Sequence, residues 1–118
     1  MTNEEKQLLF TDLCGRLPYG VIVHSLGTPH EQKLIGYIPD IDHYNIKPYL
    51  RPMSSMTDEE KTKIASMAGH FNDLTKAIEI CFACLPVVDY CYSRHLDFRG
   101  LIPMGLALKA PEDMYKGE

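Results

Sequence analysis

The sequence predicts a single α+β domain in which an N-terminal helix precedes a small, bent antiparallel sheet and C-terminal helices pack on that sheet. Apolar residues recur at helical spacing over residues 1–17, β-branched and aromatic residues between turn signals dominate residues 18–52, and helical spacing returns in residues 57–118. The 118 residues, 45% of them hydrophobic, fit one domain spanning 1–118. An SH3-like partial barrel is one form that so small a sheet takes.

The first helix is predicted from its N-terminal signals and its apolar spacing. Asn3 is a suitable N-cap, and the acidic Glu4 and Glu5 lie where the helix dipole favours negative charge. Gly15 and Pro18 limit the length of the helix. Its apolar face is expected to consist of Leu9, Phe10, Leu13, Cys14 and Leu17.

Three strands are predicted in the segment that follows, and they form an antiparallel meander. Each is bounded by turn-forming residues, and their ranges are Tyr19–Leu26, Lys33–Ile38 and His43–Leu50. Pro48 has no N–H to donate. The third strand is therefore expected to lie at an edge of the sheet or to end near that proline.

The remaining chain is predicted to be helical with an irregular tail. Thr57 and Glu60 have the spacing of a capping box, so a helix is expected to begin at Asp58 and to pack through Ile64, Met67, Ala68 and Phe71. A second helix is predicted over Asp73–Leu85, with Pro86 interrupting it before it resumes over Val87–His95. Gly and Pro residues make 97–109 a turn, a short strand or an irregular segment. The predicted core comprises Val21, Val23, Leu34, Ile38, Ile46, Phe71 and Phe82.

Charge and segment composition exclude several classes of function. The net charge of -4 disfavours binding to nucleic acid or to anionic membranes, and a local basic patch has only Lys47, Arg51, Arg94 and Arg99 to draw on. The N-terminal residues do not show the charge and apolar pattern of a secretory leader, and no window approaches the apolar length of a membrane span, so we expect neither secretion nor membrane insertion. We therefore expect a cytoplasmic location, with the cysteines as reduced thiols.

The sharpest metal-binding pattern is a pair of cysteines two residues apart, followed by a further cysteine and a histidine. A tetrahedral zinc site would use Cys81, Cys84, Cys91 and His95. Cys81 and Cys84 lie in an apolar helical stretch without the Gly- or Lys-rich knuckle of zinc sites, where cysteine serves as a small hydrophobic residue. Burial is the favoured interpretation, zinc stays the alternative, and no cofactor is predicted.

Two further groups are candidates for chemistry or binding. His95, Asp97 and Arg99 offer a base, an orienting carboxylate and an anion clamp for a small enzyme or a nucleotide-binding protein. The favoured alternative is that Asp97 caps a turn and Arg99 pairs with it. Lys47, Tyr49 and Arg51 form a weaker candidate binding group. Motifs of common nucleotide-binding, hydrolase and metalloprotease families are missing.

Three segments also resemble a known family. They are DLCGRLPYGV (12–21), KPYLRPMSSMT (47–57) and HLDFRGLIPMGLALKAPEDMY (95–115), called here the first, second and third segments. They resemble a family of small uncharacterised proteins from gut anaerobic bacteria and their prophages or mobile elements. The resemblance implies a phage or mobile-element accessory protein and brings no established catalytic residues. The sequence departs from the family's pattern in two ways: the stretch between the first two segments is short, and Cys81 and Cys84 do not belong to the pattern. The second departure further weakens the metal interpretation, because a ligand set found in one member is a poor basis for the family's function.

Together these observations favour a non-catalytic binding or interaction module. Its partner is expected to be an unidentified protein rather than nucleic acid or a membrane, and a homodimer is compatible with the sequence. The alternatives from other classes are the small enzyme or nucleotide-binding protein and the zinc-stabilised adaptor.

Overall fold

The computed structural model describes residues 1–25, 31–68 and 85–115. Its helices are α1 (Asn3–Arg16), α2 (Ile41–Tyr44), α3 (Asp58–Ala68) and α4 (Leu85–Ser93), and its strands are β1 (Ile22–His24), β2 (Gln32–Lys33), β3 (Lys47–Leu50) and β4 (Leu108–Lys109). This arrangement confirms the predicted α+β class with a leading helix, a small sheet and later helices. None of the helices in these ranges is long and apolar enough to cross a membrane.

The four strands form one sheet in the order β2-β1-β3-β4. β1 lies between β2 and β3 and is antiparallel to both, with Ile22 opposite Lys33 and Val23 opposite Pro48. The predicted meander would instead place the second strand in the middle. β4, in the segment for which the sequence left three possibilities open, pairs parallel to β3 and makes the sheet mixed. The SH3-like closure stays a prediction.

β3 is not an edge strand, so that alternative for Pro48 is wrong, but the strand ends at Leu50, two residues after the proline, as the other alternative predicts. β3 continues to Leu50 and has neighbours on both sides, and the backbone pattern explains why the proline is tolerated. The Leu50 carbonyl accepts from Ala110 on the β4 side, so the alternating backbone directs the Pro48 nitrogen to that side as well. Pairing with β4 begins only at Tyr49, one residue later. The missing N–H therefore breaks no ladder bond.

The third strand is also shorter at its start than the sequence predicts. Residues 41–44 form a helical turn, α2, instead of extending the strand back to His43. Asn45 ends that turn with a φ of 47°, a left-handed conformation that asparagine adopts more readily than most residues, and the Ile46 amide donates back to the Ile41 carbonyl. The chain enters β3 only after this reversal.

Helix α1 is in the predicted place but begins and packs differently. Its N-cap is Thr2 rather than Asn3, because Thr2 and Glu5 form a reciprocal capping box with hydrogen bonds of 2.8 and 3.1 Å. Of the predicted apolar face, Leu9 and Leu13 are buried, whereas Phe10 is 47% exposed and Cys14 is exposed. The buried side of the helix also holds the ion pair between Asp12 and Arg16. The buried face is therefore rotated about the helix axis from the predicted apolar face.

The later helices confirm one sequence signal. The capping box of α3 is present, with Thr57 and Glu60 bonded to each other's amides at 3.1 and 2.9 Å. Pro86 lies in the first turn of α4 as described, where a missing N–H is tolerated. The helix predicted over Asp73–Leu85 falls outside the described residues except for its last residue.

The buried apolar residues form two clusters. The sheet cluster packs α1 against the sheet and contains Leu9, Leu13, Val21, Val23, Leu34, Ile41, Ile46, Leu50, Leu101, Leu106 and Ala107. The helix cluster joins α3 and α4 and contains Ile64, Val87, Cys91 and Leu96. Four predicted core residues are confirmed, Ile38 is partly buried against the sheet cluster, and Phe71 and Phe82 lie outside the described residues.

Candidate functional site

A cleft of about 740 Å³ lies where the second and third segments meet. Its walls are the chain after β3, the C-terminal end of α4 and the tail that follows β4. The side chains in these walls are mainly cationic or carry hydroxyl groups: Arg51, Ser54, Ser55 and Thr57, then Ser93, Arg94 and His95, and finally Lys109, Glu112 and Tyr115. The volume falls within the range of pockets that bind small molecules or short segments of other chains.

A buried carboxylate holds the two cleft arginines. Glu60, 1% exposed, accepts from the Arg51 Nη1 and Nη2 at 2.8 and 2.7 Å and from the Arg94 Nε at 2.8 Å. Burial by itself raises the pKa of Glu60, but the hydrogen bonds from Arg51, Arg94 and the Thr57 amide outweigh it and lower the pKa to about 2. Glu60 is therefore ionised and fixes both guanidinium groups at the cleft.

The main chain of Arg51 is tied to the end of α4. Its N–H donates to the His95 carbonyl at 2.7 Å, and its carbonyl accepts from the Asp97 amide at 2.8 Å. The Arg51 backbone points away from β4. Its N–H and its carbonyl therefore face the side of β3 on which β1 pairs farther back along the strand. Residues 95–97 thus continue the sheet beyond the end of β1 and place the cleft at that junction.

His95 has a strained backbone conformation just after the C-terminal end of α4. Its φ is 60°, and the His95 and Leu96 amides donate to the Tyr92 and Cys91 carbonyls, which is the Schellman pattern of a helix C-terminus. Glycine is the usual residue there, so an imidazole in that place indicates that its side chain has a use. The ring is 2% exposed and stacks on Tyr115, with centroids 3.6 Å apart.

Tyr115 joins the tail to the sheet. Its hydroxyl accepts from the Ile22 amide at 2.9 Å and donates to the Tyr49 carbonyl at 2.7 Å. Ile22 and Tyr49 would form the next pair in the β1–β3 register, so the hydroxyl replaces a direct bond between the two strands. The tail wall of the cleft is fixed by this contact and by the stack on His95.

The three candidate catalytic residues are not assembled into one site. Asp97 accepts from the Leu101 and Ile102 amides at 2.8 and 2.9 Å, so the prediction that it caps a turn is confirmed. Arg99 does not pair with it, contrary to expectation, but with Asp12 at 3.2 Å and with the Tyr92 hydroxyl at 2.6 Å. Of the three, His95 lines the cleft.

Arg99 belongs instead to a buried charged cluster between α1 and α4. Arg16, fully buried, contacts Asp12 at 2.6 Å and donates to the Leu96 carbonyl at 2.6 Å, while its guanidinium lies 5.2 Å from the Tyr92 ring centroid. Carboxylate, carbonyl and aromatic faces compensate the buried cations. This cluster holds the helices together and lies apart from the residues that line the cleft.

The candidate binding residues divide between two places. Arg51 lies in the cleft, whereas Lys47 lines a separate cavity of about 240 Å³ beside the N-terminus of α1. Tyr49 lies near the Glu31 carboxylate, and burial first and that charge second raise the pKa of Tyr49. Alternation places all three side chains on the same face of the extended chain, but they are spread along it, so Lys47 and Arg51 line different cavities.

The zinc ligand set is only partly within the described residues. Cys81 and Cys84 lie outside them, and no cluster of three potential ligands occurs in 1–25, 31–68 and 85–115. Cys91 is buried in the helix cluster, and burial raises the pKa of its thiol to about 11. Its environment favours the neutral thiol over the thiolate that binds zinc.

Two cleft residues, Lys109 and Tyr115, were missed as candidates. Lys109 is exposed at the end of β4, and Tyr115 reaches the sheet from 93 residues after Ile22. Their only sequence signal is membership of the third segment, because no spacing rule links them to Arg51. Arg94 appeared only as a member of a general basic patch.

Neither a protein-family model, nor a curated protein, nor a solved structure matches this chain. The role of the cleft is therefore argued from its own geometry.

Proposed function

We propose that the protein is a non-catalytic binding module whose cleft takes an acidic segment of a partner protein. The observation that carries the proposal is a cationic cleft on an acidic chain. Arg51, Arg94 and Lys109 line it, against Glu60 beneath the arginines and Glu112 in the wall, while the whole chain has a net charge of -4.

The cations differ in what they are available to do. Arg51 directs both terminal nitrogens to Glu60, and also donates to the Ser55 and Arg94 carbonyls. Arg94, with its side chain 39% exposed, uses Nε for Glu60, and no described residue accepts from its terminal nitrogens. Lys109 is exposed and forms no ion pair with a described residue. Arg94 and Lys109 are the groups that meet a ligand's carboxylates.

The rest of the lining suits a polypeptide segment. The exposed Ser54 hydroxyl is placed to bind main-chain groups, while the Ser55 and Thr57 hydroxyls bond to the Pro52 carbonyl and the Glu60 amide. The rings of Pro52 and Pro111 provide apolar contact. Catalysis is disfavoured because Asp97 is committed to a turn and His95, although it lines the cleft, is almost fully buried under Tyr115. A reactive nucleophile beside a base is not among the described cleft residues.

The cellular setting in this proposal comes from the sequence. The second and third segments, which resemble the family from gut bacteria and their prophages or mobile elements, supply eleven of the thirteen lining residues. An accessory protein that occupies a partner's acidic segment in the cytoplasm is the role that agrees with both the cleft and the resemblance.

Fluorescence anisotropy with labelled peptides tests this function. A library of short peptides rich in Asp and Glu is compared with the same peptides carrying Asn and Gln. We expect acidic peptides to bind with an affinity that falls as salt is added, and Lys109→Glu to weaken binding by about tenfold or more. Lys61→Glu, an exposed lysine on α3 outside the cleft, is the matched control and should have little effect.

Two outcomes would overturn the proposal. One is acidic peptide binding that Lys109→Glu and Lys61→Glu reduce equally, because a general charge effect would then replace a site. The other is the absence of peptide binding together with binding of ATP that Lys109→Glu weakens, which would support the nucleotide-binding alternative instead.

A further inference from the structure

The edge of the sheet opposite β4 is formed by β2. Within the described residues, β2 pairs with β1 on one side, and the other side of β2 has no strand neighbour. Gln32 and Lys33 are both exposed, and so is Glu31 just before them. An edge of this kind is a template for pairing with another chain.

The ladder with β1 determines which backbone groups face outward. The Leu34 amide donates to the Val21 carbonyl at 2.9 Å, so Leu34 and Gln32 direct their backbone groups toward β1. The backbone groups of Glu31 and Lys33 consequently face away from the sheet. In an antiparallel pair, two directly opposite residues exchange both of their backbone hydrogen bonds, so these two positions can form two such pairs with a neighbouring strand.

We infer that β2 pairs antiparallel with β2 of a second copy of this chain, with Gln32 on the two-fold axis. In this register Glu31 of one protomer lies directly opposite Lys33 of its partner, and the same contact recurs across the axis. Opposite charges in this position stabilise a strand pair. Centring the axis on Lys33 would instead place lysine against lysine, so the charges select the first register.

Two further features of this edge favour pairing with a second copy of the chain. Burial and, after it, the charge of Glu31 raise the pKa of Tyr49, so the Glu31 carboxylate lies close to the sheet. Ile35 and Tyr37, 76% and 70% exposed, follow β2 directly and flank the paired strands with apolar surface. Gly36, between them, has a φ of 81° and turns the chain there, which limits the strand pair to its short length.

The inference is independent of the proposed function because it uses a different edge of the sheet. The cleft adjoins β4, while self-association uses β2, with β1 and β3 between them. The contact is small, so we expect a reversible dimer that forms as the protein concentration rises. Loss of either activity would leave the other measurable.

Sedimentation velocity over a range of protein concentrations tests the dimer and its register. The unmodified chain is compared with Lys33→Glu, Glu31→Lys and the double exchange Glu31→Lys/Lys33→Glu. Each single reversal places like charges opposite each other at both contacts, so we expect it to weaken dimerisation by about tenfold. The double exchange restores opposite charges and should return dimerisation to the level of the unmodified chain.

A chain that remains monomeric at the highest concentration would overturn the inference. A double exchange that dimerises no better than the single reversals would equally overturn it, because the rescue follows from Glu31 facing Lys33. Lys63→Glu, exposed on α3, serves as the control for a general charge effect and should dimerise normally. Circular dichroism of each variant confirms that the fold is retained.

Discussion

At the scale of single residues, the conformation of His95 links the end of α4 to the cleft. The residue holds a φ of 60° and stacks on Tyr115, while its carbonyl accepts from Arg51. A residue with a β-carbon is strained in this conformation, and glycine is not. The strain and the stack can be separated, because glycine and alanine both lack the ring but only alanine keeps the strain.

We therefore expect His95→Gly to be more stable than His95→Ala by about 1 kcal/mol. Urea unfolding of both variants measures the difference. Asn45, with a φ of 47° at an exposed position outside the cleft, supplies the matched pair Asn45→Gly and Asn45→Ala, which should show a difference of the same sign. Equal stability of the two His95 variants would show that the left-handed conformation is not retained in solution.

At the scale of elements, α1 and α4 approach closely through Gly15. A β-carbon at this position would lie 2.2 Å from the Tyr92 ring, too close for any real contact, so the glycine is needed for the packing. Tyr92 also bonds to Arg99 and lies beside Arg16. The glycine that the sequence suggested as a limit to α1 is a packing residue within the helix.

Gly15→Ala should destabilise the protein by about 1–3 kcal/mol through overpacking. In an unobstructed helix the same change would stabilise by roughly 1 kcal/mol, so the sign of the effect is diagnostic. Thermal or urea unfolding measures it, with Thr11→Ala on the exposed side of α1 as the control that should change stability little. A stabilising Gly15→Ala would contradict the observed approach of the two helices.

Elements that carry local signals were predictable, and those that depend on distant partners were not. The capping box at Thr57 and the apolar period of α1 identified two helices because both act within a few residues. The burial of Arg16 was missed because its partners include the Leu96 carbonyl, 80 residues away. β4 was left undecided because its two residues are extended by pairing with β3.

At the scale of the whole molecule, the cleft depends on chain segments that no local pattern joins. Its walls come from residues near 51, 94 and 110, brought together by β3, the end of α4 and the tail. The sequence identified Arg51, Arg94 and His95 as candidates of separate kinds, and only the sheet places them side by side. Glu60, recognised at first as a helix cap, also binds both arginines.

This double role of Glu60 makes the stability of the whole molecule dependent on pH. Its pKa in the folded state, about 2, lies below the ordinary value of 4.5, so the unfolded chain takes up the proton more readily. The stabilisation is therefore fully present above about pH 5 and is lost as the pH falls toward the folded pKa. Below that point the protonated carboxyl no longer compensates Arg51 and Arg94.

Glu60→Gln should lower the free energy of unfolding by about 3 kcal/mol near neutral pH, because it leaves two partly buried guanidinium groups without a counter-charge. The deficit relative to the unmodified chain should shrink as the pH falls, since protonation removes the same charge from Glu60 itself. Urea unfolding of both proteins at a series of pH values measures this, with Glu59→Gln, its exposed neighbour, as the control. A deficit that stays constant from neutral to acid pH would show that the charge of Glu60 does not hold the cleft arginines.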